Sequence, residues 1–221
     1  NEAFNAAMTA RQAGQYDQAI QQFQKAIEID PKQPVVWANL ADTYMLYANQ
    51  KAGADREQLL TQAIQAWEKV IELKPEDAAS RNNYALALAR IGRMEEAQAQ
   101  LEQAAQLNPA GAGQYYFNLG ALLVNSGRAA EAKEAFKKAI ELDPSYAEAY
   151  FQYGMALLGE AKIDEAGKII APEGTKEALE KYLQLAPNGP NAAAAKSALA
   201  TLQGTIETQY TNPEAKKKRR E

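Results

Sequence analysis

The sequence predicts an all-α solenoid of five helix–turn–helix units followed by a capping helix. Three observations carry this: prolines recur at a near-constant interval, small and bulky residues keep a fixed register between them, and the composition favours helix. The 221 residues include 46 Ala and 20 Gln, both compatible with long helical stretches. Pro31, Pro75, Pro109, Pro144 and Pro187 each follow a similar run, Ala-Ile-Glu-Ile-Asp before the first and Ala-Ile-Glu-Leu-Asp before the fourth. Their spacings of 44, 34, 35 and 43 fit a 34-residue unit carrying 10, 0, 1 and 9 extra residues. Self-similarity at such a period marks an array of stacked supersecondary units.

The units so defined are 1–33, 34–77, 78–112, 113–146 and 147–189. The first helix of each carries a small residue, usually after a larger one: Ala6-Ala7, Leu40-Ala41, Tyr84-Ala85, Leu119-Gly120 and Tyr153-Gly154. The second helix carries Ala19, Ala63, Ala97 or Ala132, then four residues later Phe23, Trp67, Leu101 or Phe136, and then Ala26, Ala104 or Ala139 three further on. Offsets of three and four share one helical face, so small residues let helices approach and bulky ones fill the gap beside them. Each second helix stops before its proline, which lacks the N–H needed to continue the ladder. The fifth unit keeps Leu179 but has Thr175 and Tyr182 at its small positions, and the second has Val70.

Two insertions fall between the helices of a unit. The one around residues 49–55 is expected to lengthen both helices of the second unit, with Asp55 and Gln58 forming a capping box. The other, 161–174, contains Ile163, Gly167 and Ile169-Ile170 and suggests a small hairpin. Residues 190–210 read as the capping helix, and 211–221 as a disordered basic tail.

Several functions are excluded outright. With no Cys and no His, disulfides, thiolate catalysis, His acid–base chemistry and most transition-metal sites are gone. We find no Gly-rich phosphate loop, no nucleophile beside a base and no ligand cluster, so no enzyme, cofactor or metal is expected. Carboxylates such as Glu95-Glu96 read as solvated helix faces. No apolar run reaches the length of a membrane span. The net charge of −4 divides unevenly: residues 1–212 hold 19 basic and 26 acidic side chains, and Lys216–Arg220 are five consecutive cations. That tail has no interleaved aromatics, and no nucleic-acid partner is expected. The chain opens on Asn1 in what the register makes mid-helix, with neither initiator Met nor signal peptide, and is expected to be an excised fragment.

Trp37, Leu40, Ala41 and Tyr44, then Ala63, Trp67 and Pro75, form a motif that resembles the tetratricopeptide repeat family. Leu119, Gly120, Gly127, Ala132, Phe136, Ala139 and Pro144 form it again. The resemblance covers residues 1–189 and implies a right-handed α-solenoid acting as a protein–protein interaction module. It further implies that the first helix of each unit lines a concave surface for extended peptides. Asn5, Asn39, Asn83 and Asn118, with Gln152 in the fifth unit, stand two residues before each small residue, an arrangement similar to the asparagine ladder of O-GlcNAc transferase. An amide offers both a donor and an acceptor to a peptide main chain. Met8, Met45, Leu86, Phe117, Val124, Phe151 and Met155 (with Phe4 and Leu158) are expected to floor this groove, with Arg11, Asp42 and Arg90 its few charges. The basic residues with which co-chaperone members grip a C-terminal carboxylate are not matched.

Residues 113–120 and 182–190 resemble more narrowly a group of bacterial repeat proteins whose array follows a carboxypeptidase-regulatory-like domain in an exported chain. That resemblance implies a periplasmic or exported setting and leaves a cytoplasmic one open. The function expected is therefore non-enzymatic binding of a peptide or partner segment by a monomer. The alternative is a structural or oligomerisation domain packed on another copy or on a preceding domain of the parent.

Overall fold

Small and bulky residues at helical offsets dictate helices that pack pairwise, and the computed structural model, which describes residues 2–165 and 167–203, is built of them. It divides into two compact units, Asn1–Asp143 and Pro144–Glu221.

In the first unit α1 (Glu2–Gln12), α2 (Tyr16–Ile29), α3 (Pro34–Ala48), α4 (Gly53–Leu73), α5 (Ala78–Arg90), α6 (Met94–Leu107), α7 (Ala112–Asn125) and α8 (Ala129–Leu142) follow one another. Each packs on its predecessor and its successor, and α5 also touches α7. The predicted register is the core. Ala7, Ala19, Ala26, Ala41, Ala63, Ala85, Ala97, Ala104, Ala132 and Ala139 are fully buried, with Phe23, Trp67, Leu101 and Phe136 beside them. The approach is tightest at Gly120, where a Cβ would stand 2.5 Å from the Phe136 ring.

Turns between paired helices follow one recipe at three places. Gly14, Gly92 and Gly127 adopt φ of +72°, +80° and +76°, the left-handed region where glycine carries no Cβ penalty. The residue after each reaches back to close a Schellman motif: Gln15 N–H to Ala10 O, Arg93 N–H to Leu88 O and Arg128 N–H to Leu123 O.

The second pair departs from this and corrects one expectation. The insertion goes mostly into α4, which has 21 residues against 14 for α2, α6 and α8, and α3 with 15 exceeds the 13, 14 and 12 of α5, α7 and α9 only slightly. Asp55 and Gln58 form no capping box: Ala52 holds the cap position, three residues before Asp55, and no side chain caps the helix. The cause is Gly53, whose φ of +56° turns the chain into the helix ahead of Asp55. The aspartate is left inside the first turn, where its charge still suits the positive helix end.

In the second unit α9 (Ala147–Leu158) leads to a two-stranded hairpin, then α10 (Thr175–Leu185) and α11 (Ala192–Gln203). Strands β1 (Lys162–Ile163) and β2 (Ile169–Ile170) pair antiparallel, Lys162 opposite Ile170 and Ile163 opposite Ile169, the hairpin that the isoleucines and glycine suggested. The departures from the register have physical roles. Thr175 is buried and donates its hydroxyl to Pro172 O at 2.6 Å. Tyr182, fully buried, accepts the Asn191 N–H at 2.9 Å and so organises the entry to α11. Ala192, Ala195 and Ala198 of α11 pack with Leu179 and Tyr182. The expected end of the capping helix, and the expected disorder of 211–221, lie outside the described residues.

Candidate binding groove on the first helices

A helix repeats its facing every seven residues to within about 20°, so the ladder asparagines bring defined neighbours with them. In the first unit, Asn83 lines a cavity of about 630 Å³ among α1, α3 and α5, and Asn118 lines one of about 720 Å³ among α5 and α7. Leu86 and Arg90 line both, so the two are adjacent. Residues seven positions after each ladder asparagine, Gln12, Leu46, Arg90 and Asn125, line one or both.

The ladder positions share a place but not a chemistry. Asn39 folds back on its own helix, donating to Val35 O at 2.8 Å. Asn118 donates to Asn82 Oδ1 at 2.7 Å, and Asn82 donates to Asn83 Oδ1 at 3.1 Å. This chain consumes a donor of Asn118 and the oxygen of Asn83. It leaves the Asn83 amide group as a donor and the Asn118 oxygen as an acceptor, neither with a partner among the described residues. Asn82 was not among the expected residues, and spacing alone does not reveal it because it stands one step off the ladder. Asn5 is exposed.

The expected apolar floor divides. Met45 and Leu86 line the cavities, and Met8 is half-buried against the α1–α4 core. Phe4 and Phe117 turn toward the second helices, with ring centroids 5.8 Å from Phe23 and 5.7 Å from Phe136. Val124 is exposed and lines neither cavity; Leu122, four residues after Asn118, does. In the second unit Gln152 is half-buried and Met155 exposed, whereas Phe151, only 7% exposed, packs on Tyr182 at 5.3 Å. Phe151 is therefore a core residue and not part of an open floor.

The charges gather at the first cavity, which Arg11, Asp42 and Arg90 all line. Burial pushes the Asp42 carboxyl above its ordinary range, and Arg11 draws it partly back. Arg90 donates through Nη1 to Asn49 Oδ1 at 3.2 Å. Tyr84, pushed up to about 12 first by burial and then by Glu68, stays protonated and donates to Glu68 at 3.2 Å. Among the described residues no group of three or more Asp or Glu is placed to hold a metal ion, and no helix is long and apolar enough to cross a membrane.

A TPR-repeat model matches residues 10–46, and tetratricopeptide-repeat models match 54–115, 113–146 and 135–168. Together they cover most of the chain, which belongs to the tetratricopeptide repeat family. Its fold is a protein-interaction module, and its members are generally non-enzymatic scaffolds that bind proteins or peptides. Among solved structures, the chain is similar to MamA, with 23% identity and a TM-score of 0.61 over 87% of this chain and 92% of that one. It is similar to YrrB, described as a TPR protein with an unusual peptide-binding site, with 21% identity and a TM-score of 0.58 over 88% and 90%. For pilF of Pseudomonas aeruginosa the values are 21% and 0.60, over 91% and 87%. At these identities the likeness establishes the fold.

Proposed function

We propose that the first-helix face of α1, α3, α5 and α7 binds an extended peptide segment of a partner protein. The observation that carries this is the adjacent pair of cavities, one lined by Asn83 with its amide donors unused and the other by Asn118 with its amide oxygen unused. A peptide backbone supplies the complementary carbonyl and N–H at every residue, whatever its side chains. Met45, Leu46, Leu86 and Leu122 supply apolar, adaptable surface for side chains between those contacts. The peptide-binding site described for YrrB gives the reading a precedent on the same fold.

The test is selection of a random dodecapeptide display library on the 221-residue chain, followed by titration of the best synthetic peptide. Asn83→Ala with Asn118→Ala should weaken it by about 1–3 kcal/mol, roughly one net hydrogen bond each. Affinity unchanged by the double substitution counts against the amide contacts, and binding lost on deleting 213–221 alone moves the function to the tail. The same proposal has the chain monomeric at micromolar concentration in sedimentation; a stable dimer covering this face supports the oligomerisation alternative. An upstream carboxypeptidase-regulatory-like domain in an exported bacterial parent belongs to the proposal too, supported by residues 113–120 and 182–190. Sequencing the parent upstream of Asn1 tests it.

A further inference from the structure

The proposed groove carries three charged side chains, and they are not balanced. Asp42 is answered by Arg11, whose charge favours its ionised form. Arg90 has only a neutral partner, the Asn49 oxygen at 3.2 Å, and among the described residues no carboxylate lies within ion-pairing distance of it. Two other arginines of the same unit are ion-paired, Arg93 with Glu96 and Arg128 with Glu131 at 2.6 Å. Arg81, like Arg90, bonds only neutral oxygens, those of Pro75, Gln100 and Gln103, but lines neither cavity. A guanidinium has five N–H donors, so the bond to Asn49 leaves most of its donor capacity unused.

The surroundings leave those donors within reach. Met45, Leu46, Trp67 and Leu86 line the same cavity, and Arg90 is itself exposed, so its unused donors are open to a ligand laid along the groove. Arg90 also lines the second cavity. As a residue shared by both cavities it lies between the ends of the proposed groove rather than at one of them, which suits a side chain of the ligand better than its terminus.

We infer that the boundary between the two cavities is a subsite for an acidic side chain, Asp or Glu, of the bound segment, with Arg90 as the specificity-determining residue and the Asn49 amide beside it. The inference rests on the groove proposed above and names a chemical preference for its ligand. Planar, forked guanidinium donors match a carboxylate in bidentate fashion.

The experiment compares dodecapeptides selected on the wild-type chain with those selected on Arg90→Gln and Arg90→Glu, the peptides being displayed with their C-termini fused to the carrier. Asp or Glu should be enriched at one position on the wild type by about tenfold over Arg90→Gln, the ratio expected for one charge-assisted pair. Apolar preferences should be the same for both, and Arg90→Glu should favour Lys or Arg there. In a synthetic, C-terminally amidated binder, Glu→Gln at that position should cost a similar factor on the wild type and little on Arg90→Gln. Binders without acidic enrichment, or with the same enrichment on Arg90→Gln, overturn the subsite and leave the groove standing. Loss on amidation alone makes the carboxylate a terminal one and overturns the side-chain assignment. A library that yields no binder overturns the groove and the subsite together.

Discussion

The second helix pair, α3 and α4, and the fourth, α7 and α8, occupy equivalent places in the repeat and solve them differently. In the fourth, Gly120 lets the Phe136 ring approach to where a Cβ would be 2.5 Å away, a Schellman turn through Gly127 joins the helices, and the ladder amide reaches across to Asn82. In the second, Ala41 stands at the glycine's place, Trp67 at the phenylalanine's, a longer turn leads into an extended α4, and the ladder amide bonds its own helix. The repeat thus constrains which face a residue occupies far more than it constrains what the residue does there.

Substitution at the close approach should give the largest difference. Gly120→Ala should destabilise the chain by about 1–3 kcal/mol in thermal or urea unfolding, because the buried Phe136 ring must move. Ala41→Gly should cost only about 0.5–1 kcal/mol, the ordinary helix penalty. Equal losses would mean that Phe136 relaxes freely and that the two cores are equivalent after all.

The turns come next. Gly127→Ala places a Cβ at φ +76° and should cost about 1–2 kcal/mol. Two glycines inserted after Gln50 should cost no more than about 0.6 kcal/mol, the scale for lengthening a loop already open. A tolerant Gly127 would remove the distinction between a fixed turn and a free one.

The smallest effect expected concerns the amides, read in peptide affinity. Asn118→Ala should weaken binding by about 1 kcal/mol, while Asn39→Ala should leave it within error, since Asn39 lines neither cavity and its amide is turned to Val35 O of its own helix. Comparable losses from both would show that Asn39 releases its own helix to meet the ligand.

The fold was legible because its signal is redundant. Ten alanines and four bulky residues repeat at offsets that only a helix face satisfies, and all of them are buried. The site was legible only as far as facing goes. Counted along α7 from Asn118, Leu122 lies about 40° away and Val124 about 120° away, and it is Leu122 that lines the cavity. Val124 follows the facing of Phe117, which turns toward the second helix. Phe151 likewise faces the way its place predicts, but a large ring beside Tyr182 turns inward to bury its area. Asn82 could not be read from periodicity, because its role is to orient other amides. Asp55 looked like a cap because nothing in residue type reveals that Gly53 has already turned the chain.

The extra length of α4 has a mechanical consequence. At 1.5 Å per residue, its 21 residues run about 10 Å beyond a 14-residue partner, and every residue from Lys51 to Gln58 is exposed. A repeat array lengthens by adding units but broadens only by such overhangs. The first two turns of α4 are held by their own hydrogen bonds and by continuity with a clamped shaft, so they should be the first to open to amide exchange and the first cut by a protease. The same isolation makes this stub the natural place to graft a label or a fused domain without disturbing the core.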